Sequence, residues 1–157
     1  MKAVVSTVSV ASVSVGGVVV GEVDADRDGA GRGALLVLVA AGREDAPDAW
    51  RTMARKIADL RLLPAPGCPW DSPRDRSAVD NVAEVLVVSQ FTLLGATAKG
   101  RRPSWSAAAP GTEAEPVIDR IVTDLRSRGL RVETGCFGAT MEVSSVNQGP
   151  YTVLVDA

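Results

Sequence analysis

The sequence contains no histidine among its 157 residues. Histidine is the usual general base of serine and cysteine hydrolases, and it is the commonest protein ligand of metals. Its absence excludes Ser-His-Asp and Cys-His catalytic arrangements, zincin-type motifs and every metal site built on imidazole. Any hydrolytic chemistry in this chain must therefore proceed without the usual base.

Cysteine and long apolar runs are also scarce. The two cysteines, Cys68 and Cys136, lie far apart without CxxC spacing, which excludes a zinc ribbon or an iron–sulfur cluster and implies no disulfide. No apolar run approaches the roughly 18 residues of a membrane span, and the amino terminus lacks a signal-peptide pattern. We therefore expect a cytoplasmic protein with no metal, no cofactor and no membrane partner.

Charge of neither sign dominates the sequence. Seventeen basic and nineteen acidic residues give a formal net charge of -2, so there is no overall positive field to hold a long polyanion such as DNA. Contact with nucleic acid must be local. The length and the hydrophobic fraction of 46% predict that residues 1–157 form a single folded domain.

The first half of the chain predicts strands followed by a helix. Apolar and small polar residues alternate over residues 7–15, which predicts a half-buried strand with its valines on one face. Gly16-Gly17 predicts a hairpin to the next strand, and residues 24–33 are typical of a surface loop. A buried central strand is expected at 34–41. Asp45 is expected to cap a helix that ends near Leu63.

The second half predicts a loop, a strand, a helix and further strands. The proline-rich segment 64–80 is typical of an irregular loop pinned by Trp70, and a strand follows at 82–88. Thr112 and Glu115 form a capping box before an apolar stripe that Gly129 closes. Strands are expected at 131–135, 140–146 and 151–155. This order predicts an α/β fold, a single domain of mixed, mostly antiparallel β-sheets packed in layers with two main helices.

Two short segments are not fully explained by structure alone. Residues 89–93, SQFTL, carry polar side chains where a buried apolar strand ends. Residues 147–152, NQGPYT, place a Gly-Pro between amide and hydroxyl side chains. Either segment taken alone is a strand end or a turn.

Taken together and in this order, the two segments resemble the paired SQxTL and NxGPxT signatures of the D-aminoacyl-tRNA deacylases. The resemblance extends to residues 3–13, to KGRRPSW at 99–105, and to ETGCFGA at 133–139 with Met141. It covers nearly the whole chain. It implies the fold of that family and a homodimer whose active sites lie at the subunit interface, with a cis Gly149-Pro150 of one subunit reaching into the pocket of the other.

The resemblance also implies a substrate, the aminoacyl ester on the 3′-terminal adenosine of tRNA. The family hydrolyses the ester when the amino acid is D or is glycine, and it spares the L form. In this picture the backbone carbonyls of the Gly-Pro hold the amino group, so that an L side chain collides with the backbone. The resemblance assigns catalysis to Gln90, Phe91 and Thr92. It assigns substrate binding to Ser89, Phe137, Gly138, Ala139, Met141, Asn147, Gly149, Pro150 and Thr152.

The chemistry of the residues agrees with such a reaction. A ribose hydroxyl next to the ester can orient or activate water, which leaves position and charge stabilisation to the protein. Backbone N–H groups around Gln90, Phe91 and Thr92 are the natural oxyanion donors. The alternative is that Thr92 acts as a nucleophile, although no base of the usual kind accompanies it.

Two further features have both a functional and a structural interpretation. Phe137 either stacks on the terminal adenine or belongs to the core. Lys99, Arg101 and Arg102 make the only compact basic cluster, which either contacts phosphates of the tRNA acceptor end or is a solvated run of charge.

The sequence departs from the family pattern in several places. Thr7 stands where the family usually has an arginine that braces the Gly-Pro, Leu94 replaces the usual tyrosine, and the loops 24–33 and 64–80 diverge. Two alternatives therefore stay open. One is a deacylase with a trans Gly-Pro and relaxed chirality, and the other is an inactive module that binds the tRNA acceptor end.

Overall fold

Strands open and close the chain, and the helices lie between them. The computed structural model describes residues 1–98 and 100–157. A 3-10 turn, Phe91–Leu94, follows the fourth strand directly. The strands and α-helices are β1 (Lys2–Val15), β2 (Val18–Asp24), β3 (Ala34–Ala40), α1 (Ala49–Asp59), α2 (Ala78–Asn81), β4 (Glu84–Ser89), α3 (Gly111–Ser127), β5 (Arg131–Thr134) and β6 (Glu142–Asp156).

Strand β1 organises the sheet because its length lets it pair with three other strands. Along one edge it runs antiparallel to β6 over almost its whole length. Along the other edge its first half pairs with β3 and its second half with β2, both antiparallel. The predicted hairpin at Gly16-Gly17 joins β1 to β2, and both glycines have the positive φ that such a turn requires.

The described strands form one mixed sheet in the order β2-β1-β3-β4-β5, with β6 added beside β1. The β3–β4 and β4–β5 pairs are parallel, and the pairs that involve β1 are antiparallel. The predicted mixed α/β class is confirmed. The expectation of several sheets is wrong, because the long β1 connects all the strands into one.

The sheet curls until its outer strands meet. Gly21 on β2 faces β5 so closely that a Cβ atom there would lie 2.5 Å from the carbonyl oxygen of Thr134. A side chain at this position would hold the two strands apart. The curl gives the sheet a barrel-like form with an apolar interior, which holds residues such as Val13, Val23 and Leu86.

The helices cover the outer face of the sheet over a second, larger apolar cluster. Met53 and Ile57 of α1 pack there with Ile121 and Leu125 of α3, and all four side chains are buried. The apolar stripe predicted for α3 is therefore confirmed. Trp70, expected to pin the loop between α1 and α2, packs against both clusters. In the described part of the chain, no helix is both long and apolar enough to cross a membrane.

Both predicted helix starts are wrong. Asp45 does not cap α1, because its carboxylate accepts hydrogen bonds from the amino terminus of Met1 and from the Gly42 N–H. Helix α1 begins later, after Asp48, and ends at Asp59 rather than near Leu63. Helix α3 begins at Gly111 after Pro110, without a side-chain cap, so residues 112–115 form no capping box. A capping box does exist at Ser77 and Asp80, where α2 interrupts the expected loop 64–80.

The two strands expected at 140–146 and 151–155 are a single strand, β6. Its pairing with β1 shifts in register on both sides of Val8, so the chain of β6 bulges without losing the strand. The same irregularity changes which face of β1 is buried. Val8 and Val13 are buried while Val10 is 42% exposed, so the valines of β1 do not share one face.

Candidate functional site

The carboxyl end of β4 delivers the first predicted site segment. Strand β4 is buried between β3 and β5 until Ser89, which is half-buried. The Gln90 N–H then donates to the Val39 carbonyl at 2.8 Å, and the chain enters the 3-10 turn. Sites at the carboxyl ends of parallel strands are a general feature of α/β folds.

A pocket of about 340 Å³ lies beside this segment. It brings together five of the predicted site residues, namely Ser89, Gln90, Phe91, Phe137 and Gly138. Among the described residues, none that lines it has a titratable side chain. The other lining residues come from the end of β3 and from the start of α3, which motif reasoning missed because they are ordinary apolar or small residues: Val39, Ala40, Ala41, Ala109, Gly111, Ala114 and Ile118. We call this cavity the site pocket.

The backbone N–H groups of the turn differ in their availability. The prediction that Gln90 contributes an N–H donor is wrong, because that N–H is already bonded to the Val39 carbonyl. The N–H groups of Phe91 and Thr92 stand at the start of the 3-10 turn, before its internal hydrogen bonds begin. Neither has an acceptor among the described residues. Two adjacent N–H groups of the turn therefore have no acceptor among the described residues; Phe91 lines the site pocket, whereas Thr92, the next residue, is not among its lining residues.

The Thr92 hydroxyl is engaged by an amide rather than by a base. The side-chain amide of Gln90 donates a short hydrogen bond to the Thr92 oxygen. An amide N–H cannot remove a proton from a hydroxyl, so this contact orients the threonine without activating it. The geometry favours a positioning role for this pair.

The position of Phe137 is compatible with both interpretations given to it. Its ring packs against the outer apolar cluster, and it also lines the site pocket, close to the backbone of Gly111. A smaller cavity of about 140 Å³ is lined by Phe137 together with Ser89 and Met141. Ala139 donates to the Cys136 carbonyl at 3.2 Å and closes the turn that carries Phe137. The ring is therefore held by the core while it faces the pocket.

The second motif forms a bulge on β6. Strand β6 pairs with β1 through Asn147 opposite Val8 and through Thr152 opposite Ser6, which leaves residues 148–151 facing Thr7 alone. We call these four residues the Gly-Pro bulge. The Gly149-Pro150 peptide bond is cis, and both residues are exposed at the apex of the bulge.

Thr7 lies beneath the Gly-Pro bulge and is fully buried. Its hydroxyl donates its one proton to the Gln148 carbonyl at 2.7 Å, and the Tyr151 carbonyl at 3.4 Å is a second, longer acceptor, so the hydroxyl contacts the backbone at both ends of the bulge. The short side chain therefore does contact the motif that an arginine would brace. Beside it, the Asn147 amide donates to the Thr152 hydroxyl at 2.8 Å.

The two motifs do not meet within one protomer. No residue of the Gly-Pro bulge, and neither Asn147 nor Thr152, lines the site pocket.

Arg101 and Arg102, predicted phosphate contacts, are exposed on the segment that follows the 3-10 turn. Lys99, predicted with them, lies outside the described residues. On the same segment, Trp105 meets Phe91 edge to face, with ring centroids 6.0 Å apart.

Comparisons with known proteins agree on one family. The family model described as D-Tyr-tRNA(Tyr) deacylase matches residues 4–156. The D-aminoacyl-tRNA deacylase of Corynebacterium urealyticum is 60% identical over 161 residues, which cover 99% of this chain and 99% of that protein.

Two solved structures share the fold. A structure of a c-Myc DNA unwinding element binding protein has a TM-score of 0.85 and 33% identity, and covers 100% of this chain and 99% of its own. A probable eukaryotic D-amino acid tRNA deacylase has a TM-score of 0.77 and covers 99% of this chain and 98% of its own. The identity with the latter is 16%, so that likeness concerns the fold alone.

Proposed function

This chain belongs to the D-Tyr-tRNA(Tyr) deacylase family, and from that premise we propose how it hydrolyses the ester bond of D-aminoacyl-tRNA. The observation that carries the proposal is the site pocket, which is lined by Phe91 and Phe137 and by no titratable side chain among the described residues, and whose Phe91 begins a turn with two N–H groups that lack an acceptor there. We extend the substrate range to glycyl esters. Glycine has no side chain for a chiral filter to exclude.

The terminal adenosine enters the site pocket with its base against the ring of Phe137. Stacking of a base on an aromatic side chain contributes about 1–3 kcal/mol in single-strand binders. The apolar lining from the start of α3 excludes water from the base. The ester carbonyl then lies near the N–H groups of Phe91 and Thr92, at the mouth of the pocket.

Catalysis relies on orientation and charge stabilisation. Because none of the lining residues that the structure describes can act as a general base, the ribose hydroxyl next to the ester orients or activates the attacking water. Orientation of reactants lowers barriers by up to about 7–11 kcal/mol. Each well-placed oxyanion donor adds about 3–4 kcal/mol, and the Phe91 and Thr92 N–H groups supply two.

The complete site consists of parts from two protomers. The Gly-Pro bulge is exposed and lies outside its own site pocket. The same strand exposes apolar side chains, with Val146 52% and Leu154 81% accessible. Exposed apolar side chains of this size favour an interface. In the homodimer we propose, the bulge of one protomer enters the partner's site pocket.

Chiral selection follows from the backbone of the bulge. The carbonyls of Gly149 and Pro150 accept hydrogen bonds from the substrate amino group, which fixes the Cα substituents. A D side chain then points to open space, while an L side chain collides with the bulge. Exclusion of this kind rests on backbone atoms and does not depend on which side chain the amino acid carries.

The tRNA contributes the remaining contacts. Arg101 and Arg102 meet phosphates of the acceptor end, with Lys99 as a third cation, and these contacts fix register rather than read sequence. With a net charge of -2 the protein has no overall positive electrostatic field that would attract long duplex DNA.

Residues 1–157 act as one domain, and the protein works in the cytoplasm, where aminoacyl-tRNA is used.

The direct test is a deacylation time course on one tRNA charged in parallel with D-tyrosine, L-tyrosine and glycine. Enzyme is held far below the substrate concentration so that hydrolysis requires turnover. We expect loss of D-tyrosine and glycine while L-tyrosine stays attached. Equal loss of all three would contradict chiral selection, and binding without any hydrolysis would indicate a module that only holds the acceptor end.

A further inference from the structure

An arginine from the divergent loop between α1 and α2, Arg74, contacts the Gly-Pro bulge through the ring of Tyr151. The Arg74 guanidinium carbon lies 4.6 Å from the ring centroid of Tyr151, the last residue of the bulge. It also lies 5.2 Å from the ring centroid of Trp70. Both distances are within the range of about 6 Å over which a cation is attracted to a ring face.

The guanidinium is fixed by neutral carbonyl groups. Its Nε and Nη2 atoms donate to the Trp70 carbonyl at 3.0 and 2.6 Å, and Nη1 donates to the Leu62 carbonyl at 3.0 Å. No carboxylate of the described residues pairs with Arg74, and partial burial lowers the pKa of its side chain. The cation therefore faces two aromatic rings and backbone dipoles, without an anion that could draw it elsewhere.

Tyr151 connects this arrangement to the apex of the bulge. It is half-buried and packs against the outer apolar cluster, while its neighbours Gly149 and Pro150 are exposed. Its carbonyl lies 3.4 Å from the Thr7 hydroxyl. The tyrosine thus contacts β1 through its carbonyl and Arg74 through its ring, and it directly follows Pro150 in the chain.

We propose that Arg74 is a positioning residue for chiral selection, which holds the Gly-Pro bulge in place through the ring of Tyr151. The inference rests on the proposed role of the Gly-Pro carbonyls in excluding L substrates. A bulge released on the Tyr151 side moves relative to the substrate amino group. The filter against L side chains then weakens more than the chemistry on D substrates does.

The test compares hydrolysis of D-tyrosyl-tRNA and L-tyrosyl-tRNA by pairs of variants. Tyr151→Leu removes the ring, Tyr151→Phe retains it, and Arg74→Ala removes the cation. We expect the D over L ratio of kcat/KM to fall about tenfold in Tyr151→Leu and Arg74→Ala, since a partly buried cation–ring contact has roughly that effect. Tyr151→Phe should retain the wild-type ratio, and the double variant with Leu and Ala should lose no more than either single variant.

Arg51→Ala is the matched control. Arg51 also lies over a ring, 4.5 Å from the centroid of Trp50, but it belongs to α1 and lies outside both motifs. Its removal should leave the ratio unchanged. Thermal unfolding of every variant separates loss of selectivity from loss of fold. If Arg74→Ala does not fold, Tyr151→Leu decides the question, because the hydrogen bonds of Arg74 to the loop remain.

The outcomes distinguish this inference from the proposed function. A wild type that hydrolyses both isomers alike would overturn the role of the Gly-Pro carbonyls, and this inference with it. A selective wild type with equally selective Arg74→Ala and Tyr151→Leu variants would overturn this inference alone. A fall in the ratio that Arg51→Ala reproduces would also overturn it, because the effect would not be specific to the bulge.

Discussion

Removal of the Thr7 hydroxyl tests whether this residue holds the Gly-Pro bulge. Thr7→Val keeps the shape of the side chain and deletes the donor that lies 2.7 Å from the Gln148 carbonyl. Thr7 is fully buried, so water cannot easily replace the lost bond. We expect two effects, a lower free energy of unfolding and a weaker preference for D substrates.

The size of the stability effect follows from the environment of the hydroxyl. A buried acceptor left without a partner costs about 1–3 kcal/mol. In a protein of this length, each kcal/mol lowers the melting temperature by roughly 2–4 °C. We therefore expect Thr7→Val to melt about 2–12 °C below the wild type.

Two control variants separate the hydroxyl from other changes. Thr7→Ser retains the donor and loses a methyl group, so its D over L ratio should stay close to that of the wild type. Ser9→Ala removes another β1 hydroxyl, whose contact with the Val146 carbonyl is longer, at 3.5 Å, and its free energy of unfolding should change by less than about 0.5 kcal/mol. If Thr7→Val melts like the wild type and selects D substrates equally well, Thr7 does not hold the bulge.

Three further predictions concern the site pocket and the closure of the sheet. Phe137→Ala should raise KM about tenfold or more and lower kcat less, measured by initial rates, because it removes a stacking surface; an unchanged KM would assign the ring to the core alone. Thr92→Ala should retain kcat within about tenfold if the hydroxyl only positions, whereas a loss as large as that of a missing nucleophile, roughly 10⁴-fold or more, would contradict this. Gly21→Ala should lower the free energy of unfolding by about 1–3 kcal/mol in denaturant titrations, because its Cβ would lie 2.5 Å from the Thr134 carbonyl; unaltered stability would show that the outer strands separate freely.

Local sequence patterns were sufficient for the elements whose burial repeats regularly. The existence of strand β1, the Gly16-Gly17 hairpin and the apolar stripe of α3 depend on neighbours in the chain, and the structure confirms them. The predicted placing of the β1 valines on one face is wrong, because the register shift beside Val8 depends on pairing with the distant β6. Helix starts were harder because side chains that can cap are also used elsewhere. Asp45 has a more favourable partner in the amino terminus of Met1, which is remote in sequence and close in space.

The candidate site was only partly predictable, for a similar reason. Motif spacing identified the 89–93 segment and the Gly-Pro, but it could not show that β6 stays one strand around a bulge opposite Thr7. The contact of Arg74 with Tyr151 joins a loop to a distant strand. No periodicity in the sequence predicts such a contact, because it depends on how the loop packs against the sheet in the folded protein.

The measurement that tests the central claim most directly is the activity of mixed dimers. Phe91→Pro removes one proposed oxyanion N–H from the site pocket at a position where a helix start tolerates proline, and Phe91→Ala controls for the lost ring. Gly149→Val fills the apex of the bulge, where a Cβ has space beside the Asn147 side chain at 3.8 Å. We expect each variant alone to hydrolyse D-tyrosyl-tRNA poorly.

When the two variants are unfolded and refolded together in equal amounts, half of the dimers combine one protomer of each kind. If the bulge of one protomer completes the partner's site pocket, every mixed dimer contains one intact site. The mixture should then recover about a quarter of the wild-type activity per protomer. A mixture that stays as inactive as its two components would contradict the account, because every site would then be built within a single protomer.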